Sequence, residues 1–179
     1  MRYAAFFRNL NLGRRNCPDR AQFEQAFLEN GASAAASFLT NGTMVFEARS
    51  RRAAENILDT ASASMAASCG LREPAFLRGI DQLAALVETA PFEAIDPATV
   101  FACCVTFLHR DAVVAGKPPS ATPRGDVEVI AITGSEALCI VRKLGKSPGS
   151  PNAFLEKTLA LPATTRVWNT VVRLVDKHA

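Results

Sequence analysis

The chain has 179 residues, of which 49% are hydrophobic and 21% are charged. This apolar content is sufficient for a packed core and excludes a disordered chain, and the length suits one large domain or two small ones. The net charge of +3 is too small to require a nucleic-acid partner, although a local basic patch is compatible with one.

The first half of the chain alternates strand-like and helix-like segments. An aromatic run over residues 3–10 predicts a buried strand, Pro18 suits the first turn of a helix, and Gly31 ends that helix. Asn41 and Gly42 lie between two strand-like runs and predict a hairpin with a two-residue type I′ turn, which needs positive φ at both residues. The elements predicted next are a helix over residues 52–68, a strand over residues 74–80 and a short helix capped by Asp81.

The second half repeats this order after a predicted linker at residues 91–98. A strand is predicted over residues 99–108 and a hairpin around Gly134 and Ser135. The further predicted elements are a short helix over residues 111–116, a helix opened by Ser150 and Pro151, a short strand over residues 164–167 and a terminal helix capped by Asn169.

This order of elements predicts an α+β fold made of two ferredoxin-like (α-β plait) subdomains. Each half has the split β-α-β order with an added helix. Arg78 and Arg166 both leave a predicted strand, and Asp81 and Asn169 follow them by three residues, which indicates a duplication. We therefore predict subdomains at residues 1–90 and 99–179, with mainly antiparallel sheets and helices on one face.

The cysteines predict buried thiols rather than disulfides or a zinc site. Their number is odd, no Cys-x-x-Cys pair occurs, and the adjacent Cys103 and Cys104 would point to opposite faces of a strand. We expect no metal and no cofactor. Free thiols suit a reducing compartment, and the apolar run at the start of the chain is too short for a signal peptide or a membrane span. We therefore expect a cytoplasmic protein.

Two terminal motifs resemble those of a known family. Residues 7–13, F-R-N-L-N-L-G, resemble the family's opening L-R-G-I-N-V-G. Residues 162–171, P-A-T-T-R-V-W-N-T-V, resemble its closing P-x-T-T-R-N-W-N-T-V. The family is the bacterial domain of unknown function numbered 1697, and the similarity runs along nearly the whole chain. It implies two α-β plait subdomains packed together and implies no activity. Asn9 stands where the family has glycine, and Val167 stands where it has asparagine.

The loop after the first strand is the first candidate ligand site. A loop that leads into a helix offers free N–H groups at the positive end of the helix dipole, and arginine binds phosphate and carboxylate groups in a bidentate manner. The loop matches neither the Walker pattern nor Gly-x-Gly-x-x-Gly. The structural alternative is a solvated loop whose asparagines form turns. The candidate residues are Arg8, Asn11, Gly13, Arg14, Arg15 and Asn16.

Two further groups complete the candidate ligand-binding set. One group consists of the two repeated arginines, together with the tryptophan and the asparagine that follow the later arginine. The other group is the turn of the first hairpin. Structural alternatives are that the arginines bond carbonyl groups, the tryptophan fills the core, the asparagine caps a helix, and the hairpin residues only form a turn. The residues are Arg78, Arg166, Trp168, Asn169, Asn41 and Gly42.

A module that binds a small anion or nucleotide is the leading functional hypothesis. One alternative is weak nucleic-acid binding, through the basic clusters at residues 49–52 and 142–146 and strand aromatics such as Phe101. Another is an enzyme with an unrecognised site, in which His109 and Asp111 would be a base and its orienting partner. We expect no membrane partner and a monomer or homodimer.

Overall fold

A computed structural model of the protein describes residues 1–112 and 121–179. The chain divides into two compact units, one of Met1–Ala84 with Lys177–Ala179 and the other of Ala85–Asp176. Each unit contains a four-stranded sheet in which all neighbouring strands are antiparallel. The predicted α+β class with two ferredoxin-like subdomains is confirmed.

The first half of the chain forms a sheet in the order β2-β3-β1-β4. Because β1 is antiparallel to β4, the end of β1 lies beside the start of β4, and Phe7 pairs with Ala75. The Arg8 N–H then donates to the Pro74 carbonyl at 3.0 Å. The elements are β1 (Arg2–Phe7), α1 (Arg20–Glu29), β2 (Ala35–Phe38), β3 (Thr43–Glu47), α2 (Arg51–Cys69), β4 (Ala75–Gly79) and α3 (Ile80–Glu88).

The second half forms a sheet in the equivalent order, β6-β7-β5-β8. Arg78 pairs with Ala4 of β1, and Arg166 pairs with Val105 of β5, so the two arginines occupy equivalent positions in the two sheets. A short helix is predicted over residues 111–116, and its residues 113–116 lie outside the described part of the chain. The elements are β5 (Val100–Leu108), β6 (Val127–Thr133), β7 (Glu136–Arg142), α4 (Pro151–Leu159), β8 (Ala163–Val167) and α5 (Trp168–His178).

An aromatic cluster forms the centre of the first unit. Phe27 of α1 lies 5.8 Å from Phe23, 6.3 Å from Phe7 and 5.0 Å from Phe46 between ring centroids. The contacts with Phe7 and Phe23 are edge-to-face, an arrangement that aromatic rings prefer. All four rings are at most 1% exposed. The predicted apolar stripe of α2 packs on the same core, and its residues are all buried: Ala54, Ile57, Leu58, Ala61 and Met65.

The helix starts differ from the sequence-based predictions. Strands β4 and β8 run directly into α3 and α5, which begin at Ile80 and Trp168. Asp81 and Asn169 therefore lie inside the first helical turn, and the prediction that they are caps is wrong. The last strand residues, Gly79 and Val167, directly precede the helices and occupy the cap positions, and the Gly79 N–H donates to the Gln82 side chain at 3.0 Å. Helix α1 has a true cap at Asp19, directly before its first residue.

The first hairpin is wider than the predicted type I′ turn. Phe38 pairs with Thr43, so four residues connect the strands, and the positive φ values are at Leu39 (62°) and Gly42 (69°) rather than at Asn41. The type I′ prediction is therefore wrong. The wider connection bonds to neighbouring backbone, since the Gly42 carbonyl accepts the Phe7 N–H at 2.8 Å.

The second hairpin agrees with its prediction. Gly134 and Ser135 alone connect Thr133 to Glu136, and Gly134 has a φ of 62°. The prediction of a two-residue turn holds because β6 and β7 stay paired up to Thr133 and Glu136, so that only two residues remain to connect them.

Candidate functional site

Two consecutive turns shape the loop between β1 and α1. The Arg14 N–H donates to the Asn11 carbonyl at 3.2 Å, and the Cys17 N–H donates to the Arg14 carbonyl at 3.0 Å. The third residue of each turn has positive φ, 76° at Gly13 and 57° at Asn16. Glycine and asparagine are the residues that tolerate this conformation best. Gly13 and Asn16 therefore form turns, which is the structural alternative considered for this loop.

This loop forms one wall of a cavity of about 330 Å³, called here the loop pocket. The other wall is the segment that connects α2 to β4. The antiparallel pairing of β1 with β4 brings the two segments together, although more than 50 residues separate them in the chain. The lining residues are Asn9, Arg15, Asn16, Cys17, Gly70, Leu71, Arg72 and Glu73.

Glu73 joins the two walls of the loop pocket. Its Oε2 atom accepts from Nη1 of Arg8 at 2.8 Å, and its Oε1 atom accepts from Nδ2 of Asn9 at 3.3 Å. The Arg8 and Glu73 side chains are 27% and 32% exposed, so the ion pair is partly shielded from water. Asn9 has a φ of 49°, which explains how asparagine replaces the family's glycine at this position. Arg8 is therefore a structural neighbour of the pocket.

Two arginines of the loop pocket have no partner in the described part of the chain. Arg15 comes from the loop wall and Arg72 from the opposite wall, and both are exposed. Neither makes a hydrogen bond or an ion pair with any described residue. The charge of Glu73, in contrast, is balanced by Arg8. The pocket therefore carries an excess of two positive charges at its surface.

A capping box occupies part of the start of α1. The Asp19 carboxylate accepts the Gln22 N–H at 2.8 Å, and the Gln22 side chain accepts the Asp19 N–H at 2.9 Å. This capping box places the protein's own negative charge at the positive end of the helix dipole. One N–H group that was expected to be free for a ligand is therefore already bonded, and a contribution of this helix start to anion binding stays a prediction.

The repeated arginines lie within strands and are buried. Arg78 is 6% exposed and donates to the Leu77 carbonyl at 2.8 Å. Arg166 is 7% exposed and donates to the Thr164 hydroxyl at 2.9 Å and to the Thr165 carbonyl at 3.0 Å. Burial lowers the pKa of Arg166 to about 10, so it still carries a proton at neutral pH. Arg78 does not line the loop pocket.

The other residues of the predicted ligand-binding set have local structural partners or are not among the residues that line the loop pocket. Trp168 is partly buried and stacks edge-on against Phe92 at 5.2 Å, whereas Asn169 is exposed. The Asn41 side chain accepts from the Thr43 hydroxyl at 3.0 Å. Among the predicted loop residues, Asn16 and Arg15 line the pocket, but Asn11, Gly13 and Arg14 do not.

Several of the aromatic and basic residues considered for nucleic-acid binding are buried or paired with carboxylates. Phe6, Phe7 and Phe107 are fully buried and cannot stack on bases. Arg51 pairs with Glu55 at 3.0 Å, and Arg142 pairs with Glu128 at 2.7 Å. Phe101 is 43% exposed, and Arg49, Arg52 and Lys146 are exposed as well. Nucleic-acid binding stays a prediction.

His109 has a partner, but the arrangement differs from a base with an orienting carboxylate. Its Nδ1 atom accepts the Asp111 backbone N–H at 3.2 Å, and the Asp111 carboxylate lies 3.5 Å from the same atom. A ring nitrogen that accepts a hydrogen bond has no proton to donate to that carboxylate. This geometry does not support the orienting role proposed for Asp111.

All five cysteines are free thiols, and two of them are deeply buried. Burial is the largest cause that raises the pKa of Cys104 to about 12. Burial likewise raises the pKa of Cys139 to about 11, against a smaller opposite effect of the hydrogen bond with Thr106. These thiols are protonated and unreactive at neutral pH. Within the described residues, no group of three or more His, Cys, Asp or Glu side chains could hold a metal ion.

We expect stability to fall as the pH rises above the usual thiol pKa of 9.0. The unfolded chain releases its thiol protons there, whereas the native chain keeps those of Cys104 and Cys139 until about pH 11 to 12. The urea midpoint should therefore drop between pH 8 and pH 10, and the drop should be smaller in Cys104→Ala. The partly buried Cys17 provides the control, and an equal drop in Cys17→Ala and Cys104→Ala would refute the assignment.

Only Arg15 and Asn16, two of the eight residues that line the pocket, are among the candidates predicted from the sequence. Residues 70–73 carry no local sign of a site, because their sequence indicates only a helix end followed by a strand entry. One usable signal was present: in the split β-α-β order the first and last strands are neighbours, so the entry to the last strand adjoins the exit of the first. Charged residues at both places, such as Arg8 and Glu73, were therefore candidates for contact.

Comparison with known proteins supports the fold without indicating an activity. The family model described as "Protein of unknown function (DUF1697)" matches residues 1–137. A solved structure described as that of conserved bacterial protein SP0830 from Streptococcus pneumoniae is similar, with a TM-score of 0.64 and 15% sequence identity over 98% of this chain and 97% of that one. No curated protein matches the chain. In the described ranges, every helix is too short or too polar to cross a membrane.

Proposed function

Since the chain belongs to the family of proteins of unknown function DUF1697, its role has to be inferred from its own residues, and we propose that it is a small-anion binding module. The site is the loop pocket. The ligand is a phosphate-bearing or carboxylate-bearing small molecule held by Arg15 and Arg72. The chain's own residues suggest binding rather than a particular reaction.

One observation carries this proposal: two arginines that are unpaired among the described residues, Arg15 and Arg72, line the same cavity although they come from distant segments of the chain. Guanidinium groups bind phosphate and carboxylate oxygens through paired N–H donors, and two such groups can grip one anion from both sides. The cavity of about 330 Å³ lies at the lower end of the range of small-molecule sites. The buried arginines Arg78 and Arg166 are left out of the proposed site.

The adjacent residues Arg14 and Arg15 allow a matched test. Both are exposed and unpaired on one loop, but only Arg15 lines the pocket. A phosphate ligand at 100 times its dissociation constant should stabilise the native state by about 2.7 kcal/mol, or roughly 5–11 °C in melting temperature. We expect Arg15→Ala to lose most of this shift and Arg14→Ala to keep it.

The measurement is a thermal melt with sodium phosphate, against sodium chloride at the same ionic strength. The chloride series removes general screening, which would affect both arginines alike. An equal loss in Arg14→Ala and Arg15→Ala would mean that the loop attracts anions only through its overall charge. The absence of any shift with phosphate, pyrophosphate and sugar phosphates would refute the proposal.

The proposal includes a cytoplasmic location. All five cysteines are free, and proteins of oxidising compartments commonly pair theirs in disulfides. Fractionation of cells that carry a tagged copy of the full chain would test it.

A further inference from the structure

We infer that the ligand of the loop pocket is a phosphorylated polyhydroxy compound of the sugar-phosphate class, rather than a bare anion or a compound with two anionic groups. This inference rests on the proposed function and specifies its ligand. It depends on the size of the cavity, on the free acceptor atoms of Glu73 and on the neutral groups that line the remainder of the pocket.

The volume of the pocket exceeds what a single phosphate group fills. A water molecule takes about 30 Å³ in the liquid, so a cavity of about 330 Å³ corresponds to about eleven waters. Phosphate has five non-hydrogen atoms and would leave more than half of this space filled with solvent. A ligand that extends beyond its anionic group can use the remaining walls.

Glu73 provides acceptors for hydroxyl groups in that remaining space. A carboxylate has about four lone-pair positions, and the described residues use one on each oxygen, through Arg8 and Asn9. The side chain is 32% exposed and lines the cavity. Its free positions can accept hydrogen bonds from sugar hydroxyls, which are charge-assisted and therefore strong. The carboxylate can only accept hydrogen bonds, so it offers no donor to a second anionic group at this place.

The other lining groups suit a polyhydroxy body. The Asn16 amide is exposed and has no partner among the described residues, so it can both donate to and accept from hydroxyl groups. The Asn9 amide uses one N–H for Glu73 and keeps its carbonyl oxygen as an acceptor. Leu71 and Cys17 add apolar surface to the same cavity, against which the C–H face of a sugar can pack. The phosphate then meets Arg15 and Arg72.

The test compares three probes at constant ionic strength by isothermal titration: inorganic phosphate, pyrophosphate and ribose 5-phosphate. We expect ribose 5-phosphate to bind at least about tenfold more tightly than either inorganic anion, since one hydrogen bond to a charged group supplies such a ratio. Glu73→Gln should reduce this advantage and raise the relative affinity for pyrophosphate, because one acceptor oxygen is replaced by an N–H donor. The Gln side chain keeps one acceptor oxygen for Arg8.

A second variant keeps the test valid if Glu73→Gln unfolds. Asn16→Gly removes the amide but tolerates the positive φ of this position. We expect it to weaken ribose 5-phosphate binding severalfold and to weaken inorganic phosphate binding much less. Equal affinities for phosphate and ribose 5-phosphate, or a preference for pyrophosphate, would overturn the sugar-phosphate inference and leave the anion module standing. Failure of all three probes to bind would overturn both.

Discussion

Replacing Phe27 with alanine is expected to lower the free energy of unfolding by about 3–5 kcal/mol. Phe27 is fully buried and contacts the rings of Phe7, Phe23 and Phe46. Its removal loses the transfer free energy of a large apolar side chain and leaves a cavity whose walls, two strands and a helix, relax only partly. Because small domains are stable by only about 5–15 kcal/mol, this single change can remove a large part of the stability.

The neighbouring Leu28 provides the control on the same helix. Leu28 is 41% exposed, and alanine is the best helix former, so Leu28→Ala should change the free energy of unfolding by less than about 1 kcal/mol. Urea unfolding followed by far-ultraviolet circular dichroism measures both variants. Similar losses for Phe27→Ala and Leu28→Ala would contradict the assignment of the aromatic cluster as the centre of the core.

Replacing Gly42 with alanine is expected to cost about 2–5 kcal/mol. The first cause is the φ of 69°, which costs an L-residue with a side chain about 1–2 kcal/mol. The second is steric, since the new Cβ atom would lie 2.7 Å from Cβ of Leu10. Leu10 is 2% exposed and cannot move aside freely, so overpacking adds about 1–3 kcal/mol.

Gly13→Ala separates these two causes. Gly13 has a φ of 76°, close to that of Gly42, but a Cβ atom there would meet nothing within 4 Å. We expect it to show the conformational cost alone, about 1–2 kcal/mol. The difference between the two variants in urea unfolding measures the steric contact with Leu10. If the two alanine variants lose equal stability, the close approach of the hairpin to Leu10 is not a real constraint.

Helical periodicity and strand patterning were sufficient to predict the fold class. The stripe from Ala54 to Met65 is buried as predicted, because a 3.6-residue period brings those residues onto one face of a helix wherever that helix docks. The family membership expected from the terminal motifs is also confirmed. These conclusions depend on neighbours in the sequence, which a single chain displays directly.

Predictions from short stretches of sequence were wrong where the structure depends on neighbouring segments or elements. Asn41 and Gly42 predict a tight turn, but the Gly42 carbonyl accepts from Phe7 and the connection widens to four residues. Asp81 and Asn169 have the right type for caps, but the strands before them continue directly into helices. The outcome at such positions depends on partners that no local window contains.

The alternation of strands and helices, its repetition in two halves, and the arginines and asparagines after the first strand can all be read from the amino-acid sequence. Which of these residues share a cavity depends on the folded chain. Arg14 and Arg15 are indistinguishable in the sequence, yet only Arg15 lines the pocket after two consecutive turns, and Arg72 joins it from a distant segment. This difference arises because residue type sets what a side chain can bind, whereas strand pairing and turn geometry set where it lies.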